Sequence, residues 1–215
     1  TDAARQRLVF LTSRVAGELS FDVRSLQEYM AAECISSGDP ELVKARLRAI
    51  GPAPYWRNVF LFAVSKCFAD TRSRHLQDSI RLLCEDLNGP TDRLLSAAKS
   101  GSDLALDILL SGAVAENPNY LRHMVRISLA MLQEPDLVDE SDERPSTDQR
   151  LASVYRESVE DVFREAVELR VGQTEVARTM GAWPLVLRLC RQGVVWAEDL
   201  FERHWPADMD RLTLL

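Results

Sequence analysis

The sequence predicts an all-α protein: an α-solenoid-like or irregular bundle of antiparallel helix pairs, with a short β-hairpin at its N-terminus. Three observations predict it. Apolar residues recur at helical spacing along most of the chain, as in Leu76, Ile80, Leu83, Cys84 and Leu87. Helix starts and stops follow one another closely, at Asp39-Pro40, Gly51-Pro52 and Asn88-Gly89-Pro90. Paired runs of β-type residues occur in the first 24 residues, ahead of the helical pattern. With 215 residues, 46% of them hydrophobic and 27% charged, the chain can bury a sizeable core and is not globally disordered.

Leu8-Val9-Phe10-Leu11-Thr12 and Leu19-Ser20-Phe21-Asp22-Val23 read as the two hairpin strands, with Phe10 and Phe21 on the buried face. Arg14 to Glu18 forms the turn, where Gly17 tolerates positive φ. A lone hairpin is marginal in water, so a β partner is expected ahead of Thr1. One amphipathic helix over Asp2 to Val15 is the competing reading. Ser25-Leu26-Gln27-Glu28 has the form of a capping box, in which the Ser25 hydroxyl accepts from the amide of Glu28. Leu26, Tyr29, Met30 and Ala32 are expected to pack the helix that follows. Asp39 caps the next helix, with Pro40 in its first turn, and Gly51-Pro52 ends it. Pro54-Tyr55-Trp56 opens a helix whose apolar positions (Val59, Phe60, Phe62, Ala63, Val64, Cys67, Phe68) exceed one stripe, which predicts a central place in the packing. Further helices are predicted over Ser73 to Asn88, Thr91 to Ala98, Ser102 to Val114 and Pro118 to Leu132.

Gln133 to Thr147 carries six acidic residues between Pro135 and Pro145 or beside them, and no glycine. It reads as a solvated acidic loop rather than a calcium loop, which needs a glycine turn. The predicted organisation is therefore a hairpin over 1–24, a first helical part over 25–132, an acidic linker over 133–148 and a second helical part over 149–215. Gln149 to Val171 is predicted as one long amphipathic helix, and Gly172, Gly181 and Gly193 punctuate the remainder.

The net charge of −7 argues against a dedicated nucleic-acid surface, although a local basic patch around Arg122 and Arg126 is compatible with it. None of the three lysines (Lys44, Lys66, Lys99) follows a glycine, so there is no P-loop here, and serine-hydrolase and zinc motifs are also missing. His75, His123 and His204 are isolated, and read as surface or capping residues. Glu160-Asp161 is an acidic pair of the kind an acidic chain produces by chance. Cys34, Cys67, Cys84 and Cys190 are too widely spaced for a zinc set, and the last three lie in apolar runs that suit buried thiols in a reducing cytoplasm. No apolar run approaches the roughly 18 residues of a membrane span. No enzymatic activity, cofactor or metal is expected within these residues. Arg5, Arg7, Arg14, Trp56 and Arg57 are residue types that anchor interfaces, set against the alternative of an ordinary solvated face.

Phe21-Asp22-Val23-Arg24-Ser25-Leu26-Gln27-Glu28-Tyr29-Met30-Ala31-Ala32 resembles the segment closing the NTPase module of NACHT-type STAND ATPases, commonly written F-x-H-x-S/T-F/L-Q-E-Y/F-L/F-A-A. The hairpin before it looks like the wing of that family's winged-helix domain. Pro54-Tyr55-Trp56-Arg57-Asn58-Val59-Phe60-Leu61-Phe62-Ala63 looks like its W-x-x-V/P-x-L-F-x-A/L helix. Phe21, Ser25, Gln27, Glu28, Tyr29, Ala32 and Trp56 carry the likeness; Arg24 or Val23 stands where a histidine is usual. The specific match covers about a quarter of the chain, and beyond residue 70 only helical character agrees. The resemblance implies a non-catalytic scaffold or sensor segment of a bacterial signalling NTPase, as found in antiphage defence. Its Walker motifs would lie ahead of Thr1, its partners would be other domains of the parent, and it would oligomerise in the full-length protein. A free-standing α-solenoid adaptor is the alternative.

Overall fold

A computed structural model describes residues 11–12, 20–21, 23–70, 73–133, 145–172 and 181–205. The described chain is helical apart from a two-residue antiparallel ladder, β1 (Leu11–Thr12) against β2 (Ser20–Phe21), which pairs Leu11 with Phe21. That ladder does not amount to the expected hairpin, because the remainder of residues 1–22, turn included, lies outside the described residues. The chain divides into two compact units, residues 1–77 and 78–215. Helices on both sides of the acidic segment fall in the second unit.

In the first unit, α1 (Arg24–Ile35), α2 (Pro40–Ile50) and α3 (Arg57–Ala69) pack on one another. The cap of α2 is as predicted: the Asp39 carboxylate accepts from the amides of Glu41 (2.9 Å) and Leu42 (3.4 Å), with Pro40 opening the helix and Gly51 closing it. The predicted capping box of α1 is not formed. Helical geometry already begins at Arg24, and the extended Val23 is the cap residue, its carbonyl accepting from Leu26 and Gln27. Ser25 is thus inside the first turn, where its hydroxyl cannot reach the orphan amides. Glu28 binds Arg24 Nε (3.0 Å) and Asn58 Nδ2 (3.1 Å) instead.

The side-chain partners of α1 and α3 advance in step: Glu28 meets Asn58, Tyr29 meets Phe62, and Glu33 meets Lys66. The two helices therefore run parallel, with α2 returning the chain. Pro54–Trp56 forms a 3-10 turn ahead of α3, and α3 buries Val59, Phe60, Ala63, Val64, Cys67 and Phe68. Val43 and Leu47 of α2 and Ala32 of α1 complete this core.

The second unit holds most of α4 (Arg74–Leu87), then α5 (Arg93–Ala97), α6 (Ser100–Leu110), α7 (Pro118–Ser128) with a 3-10 extension to Gln133, α8 (Thr147–Val154), α9 (Glu160–Val171), α10 (Trp183–Arg191) and α11 (Val195–His204). Its central helix is α6, which buries Leu104, Ala105, Leu106, Ile108 and Leu109 and packs against α5, α7 and α8. A Cβ on Gly101 would sit 1.9 Å from the Cys84 carbonyl oxygen, so α4 and α6 touch backbone to backbone here. Asn88 seals the junction: its Oδ1 accepts from Ser102 N (3.1 Å) and its Nδ2 donates to Ser102 Oγ (2.8 Å).

Two boundaries differ from the sequence reading. The expected linker 133–148 overruns, because Gln133 ends a 3-10 turn and Thr147 and Asp148 already belong to α8. The helix expected over Gln149 to Val171 is broken: Tyr155 and Arg156 are extended, with ψ of 135° and 152°, and a 3-10 turn (Glu157–Val159) precedes α9. Tertiary contacts explain the break. The Tyr155 ring packs edge-on against Phe163, and its hydroxyl accepts from Trp196 Nε1 (3.1 Å) and donates to Glu160 (3.1 Å).

Candidate functional site

Three of the residues that carry the family resemblance, Gln27, Glu28 and Trp56, come together on one face of the first unit. A small open cleft, about 140 Å³ in volume, is lined by Arg24, Gln27, Glu28 and Ala31 of α1 and by Tyr55, Trp56 and Val59 at the start of α3. Small-molecule sites usually span roughly 300–1,000 Å³, so this notch suits a single inserted side chain better than a free ligand.

The helical repeat explains the grouping. Arg24, Gln27, Glu28 and Ala31 recur at three- and four-residue spacing, which places them on one stripe of α1. The 3-10 turn then sets the Tyr55 and Trp56 rings opposite, edge to face with centroids 5.6 Å apart. On a different side of α1 from the notch stripe, the Tyr29 ring meets Phe62 edge-on at 6.0 Å. Tyr29, Trp56 and Phe62 are 48%, 40% and 40% exposed, and Tyr55 is 79% exposed. Sequence reasoning placed Tyr29 and Met30 in the packing of α1. Both are half-exposed, and Ala32 is the one α1 residue that is fully buried. The short α1–α3 seam closes on Ala32 and leaves the larger side chains at its rim.

Charges around the face are paired. Arg24 binds Glu28, and Lys66 Nζ donates to Glu33 at 2.6 Å. The Lys66 hydrogen bond, helped by the Lys66 charge, holds the Glu33 carboxyl below its ordinary pKa against the opposing effect of desolvation. What remains is a nearly neutral aromatic surface.

Ser25 is exposed outside the cleft, and Arg57 opens α3 half-buried. Of Phe21 only the backbone is described, while Arg5, Arg7 and Arg14 lie outside the described residues. Tyr55, Asn58 and Phe62 were not singled out as site residues; of the seven apolar positions read on α3, Phe62 is the one that is exposed.

Comparisons with protein-family models, with curated proteins and with solved structures return no match. The remaining candidate groups are dispersed. His75, His123 and His204 are all exposed, on three different helices. Among the described residues, no three His, Cys, Asp or Glu side chains come together as a metal-ion set. Cys67 and Cys84 are buried, and burial pushes the Cys67 thiol up to about 11, which keeps it protonated and unreactive. Cys34, by contrast, is exposed. Arg122, considered for a basic patch, is committed to Asp161, with Nη1 2.8 Å from Oδ1. No helix among the described residues is long and apolar enough to cross a membrane.

Proposed function

We propose that this chain is a non-catalytic helical interaction segment that follows the NTPase and winged-helix module of a bacterial, cytoplasmic NACHT/STAND-type signalling protein, of the kind used in antiphage defence. The observation that supports this reading is the placement of the signature residues. Gln27, Glu28 and Trp56 line one notch at the surface of the first unit, beside the exposed Tyr55 ring, and Tyr29 is half-exposed on another side of α1. Exposed aromatic clusters of this kind mark surfaces that another protein surface covers. In the proposed parent, the covering surface is the preceding winged-helix region, whose wing includes the β1–β2 ladder. The helices of the second unit form a solenoid-like array that carries the trigger or oligomer contacts.

The test is to read the coding sequence ahead of Thr1 in the same frame. A glycine-rich loop ending in a lysine, followed by an acidic Walker strand, is the expected result. An open reading frame without either refutes the NTPase reading and leaves the free-standing helical adaptor in its place.

A further inference from the structure

A separate feature of the second unit concerns α8. This helix has only eight residues, and isolated helices shorter than about 12 residues are marginal in water. Its hold on the unit is therefore tertiary. Leu151, Ala152 and Val154 are buried, and the helix packs against α6 and α10. The remaining hold is ionic and works on two sides. Arg150 forks across α6, its Nη1 2.9 Å from Asp103 Oδ1 and its Nη2 2.7 Å from Asp107 Oδ1. On the other side, Arg188 Nε of α10 donates to Asp148 Oδ2 at 2.7 Å. All five charged side chains are partly buried, so each recovers hydration whenever α8 comes away.

The backbone permits that motion. Ser146, before α8, and Tyr155 and Arg156, after it, are extended, so α8 shares no helical hydrogen bonds with α7 or α9. Tyr155 is itself anchored, its hydroxyl between Trp196 and Glu160 and its ring on Phe163. A break next to an anchor is a hinge.

We propose that α8 is an ion-latched strap that lifts from α6 and α10 as one piece, hinged at Tyr155, while the rest of the second unit stays folded. Lifting uncovers the faces of α6 and α10 on which it packs. Because the latch is charge on charge and opening exposes those charges, salt favours the open state, though less strongly than for fully exposed pairs. Elsewhere α6 is held by buried Leu104, Ala105, Leu106, Ile108 and Leu109 and by the neutral Ser102–Asn88 hydrogen bonds, which do not respond in that way.

Native-state hydrogen exchange on the full chain at neutral pH, resolved by peptide, tests this. The expected result is that amides 151–154 exchange at least about tenfold faster than amides 104–109. That gap should widen between roughly 0.01 M and 1 M salt, as the Debye length falls from about 30 to 3 Å. Arg150→Gln should speed exchange in α8 by about a further tenfold and leave α6 unchanged. If α8 and α6 share one protection at both salt concentrations, the strap does not exist. A faster α8 that ignores salt, or an Arg150→Gln effect equal in both helices, removes the ionic latch. The wild-type salt series stands even if the variant folds poorly.

Discussion

Replacing Tyr29 by alanine distinguishes a surface signature from a core one. A fully buried aromatic side chain hides roughly 150–250 Å². Tyr29 is 48% exposed, so it hides about half of that, roughly 100 Å². At about 25 cal/mol per Å² this is an upper limit of about 2.5 kcal/mol. Alanine keeps part of the contact and gains about 0.5 kcal/mol of helix propensity. The edge-on contact with Phe62 is included in the loss. The net destabilisation should therefore be about 1–2 kcal/mol. Phe60→Ala is the internal control: that ring, two positions before Phe62, is 0% exposed and should cost about 3–5 kcal/mol. Both are measured by urea unfolding followed by far-ultraviolet circular dichroism, with wild type and variants fitted to the same number of transitions. A Tyr29→Ala loss as large as that of Phe60→Ala would show the ring to be part of the core, and the exposed-face reasoning would fail.

Gly101→Ala should destabilise the second unit by about 3 kcal/mol or more, because the new Cβ meets the Cys84 carbonyl oxygen at 1.9 Å and backbone must move; an unchanged melting temperature would contradict the close approach. Asp39→Ala removes the α2 cap and should cost about 1 kcal/mol in the same urea assay, with Asp39→Asn close to neutral. In native protein, a chromogenic thiol reagent should modify Cys34 at once and reach Cys67 and Cys84 only as denaturant unfolds the chain; early loss of all thiols would mean that the core is open. Burial alone raises the Asp148 carboxyl, but hydrogen bonds from Ser146 and Arg188 and the Arg188 charge bring it below its usual 3.8. Its contribution is complete above 3.8 and is lost as pH falls through the lower folded-state value. The wild-type melting temperature should therefore drop more steeply below about pH 4 than that of Asp148→Asn, and parallel curves would refute the linkage.

The helical class was legible in the sequence, as were most of the punctuation marks. Asp39-Pro40, Gly51-Pro52 and Asn88-Gly89-Pro90 act through bonds and dihedral limits that span a few residues, so a window of sequence contains their whole cause. The candidate face was half legible. Gln27, Glu28 and Trp56 were identified as residues that belong together and do line one cleft. Their exposure was not legible, because Tyr29 and Met30 have the composition of core residues, and only the packing of α1 on α3 shows that the seam closes at Ala32.

Local chemistry by itself determined where most helices begin and end. Tertiary structure alone decided the rest: that α1 starts at Arg24 without its expected cap, that the helix predicted through Tyr155 breaks there, and that α1 lies parallel to α3. The physical reason is common to all three. Glu28 has Asn58 as a partner thirty residues away, and Tyr155 has Trp196 forty-one residues away, so contacts between distant residues outweigh preferences worth about 1 kcal/mol in the local chain.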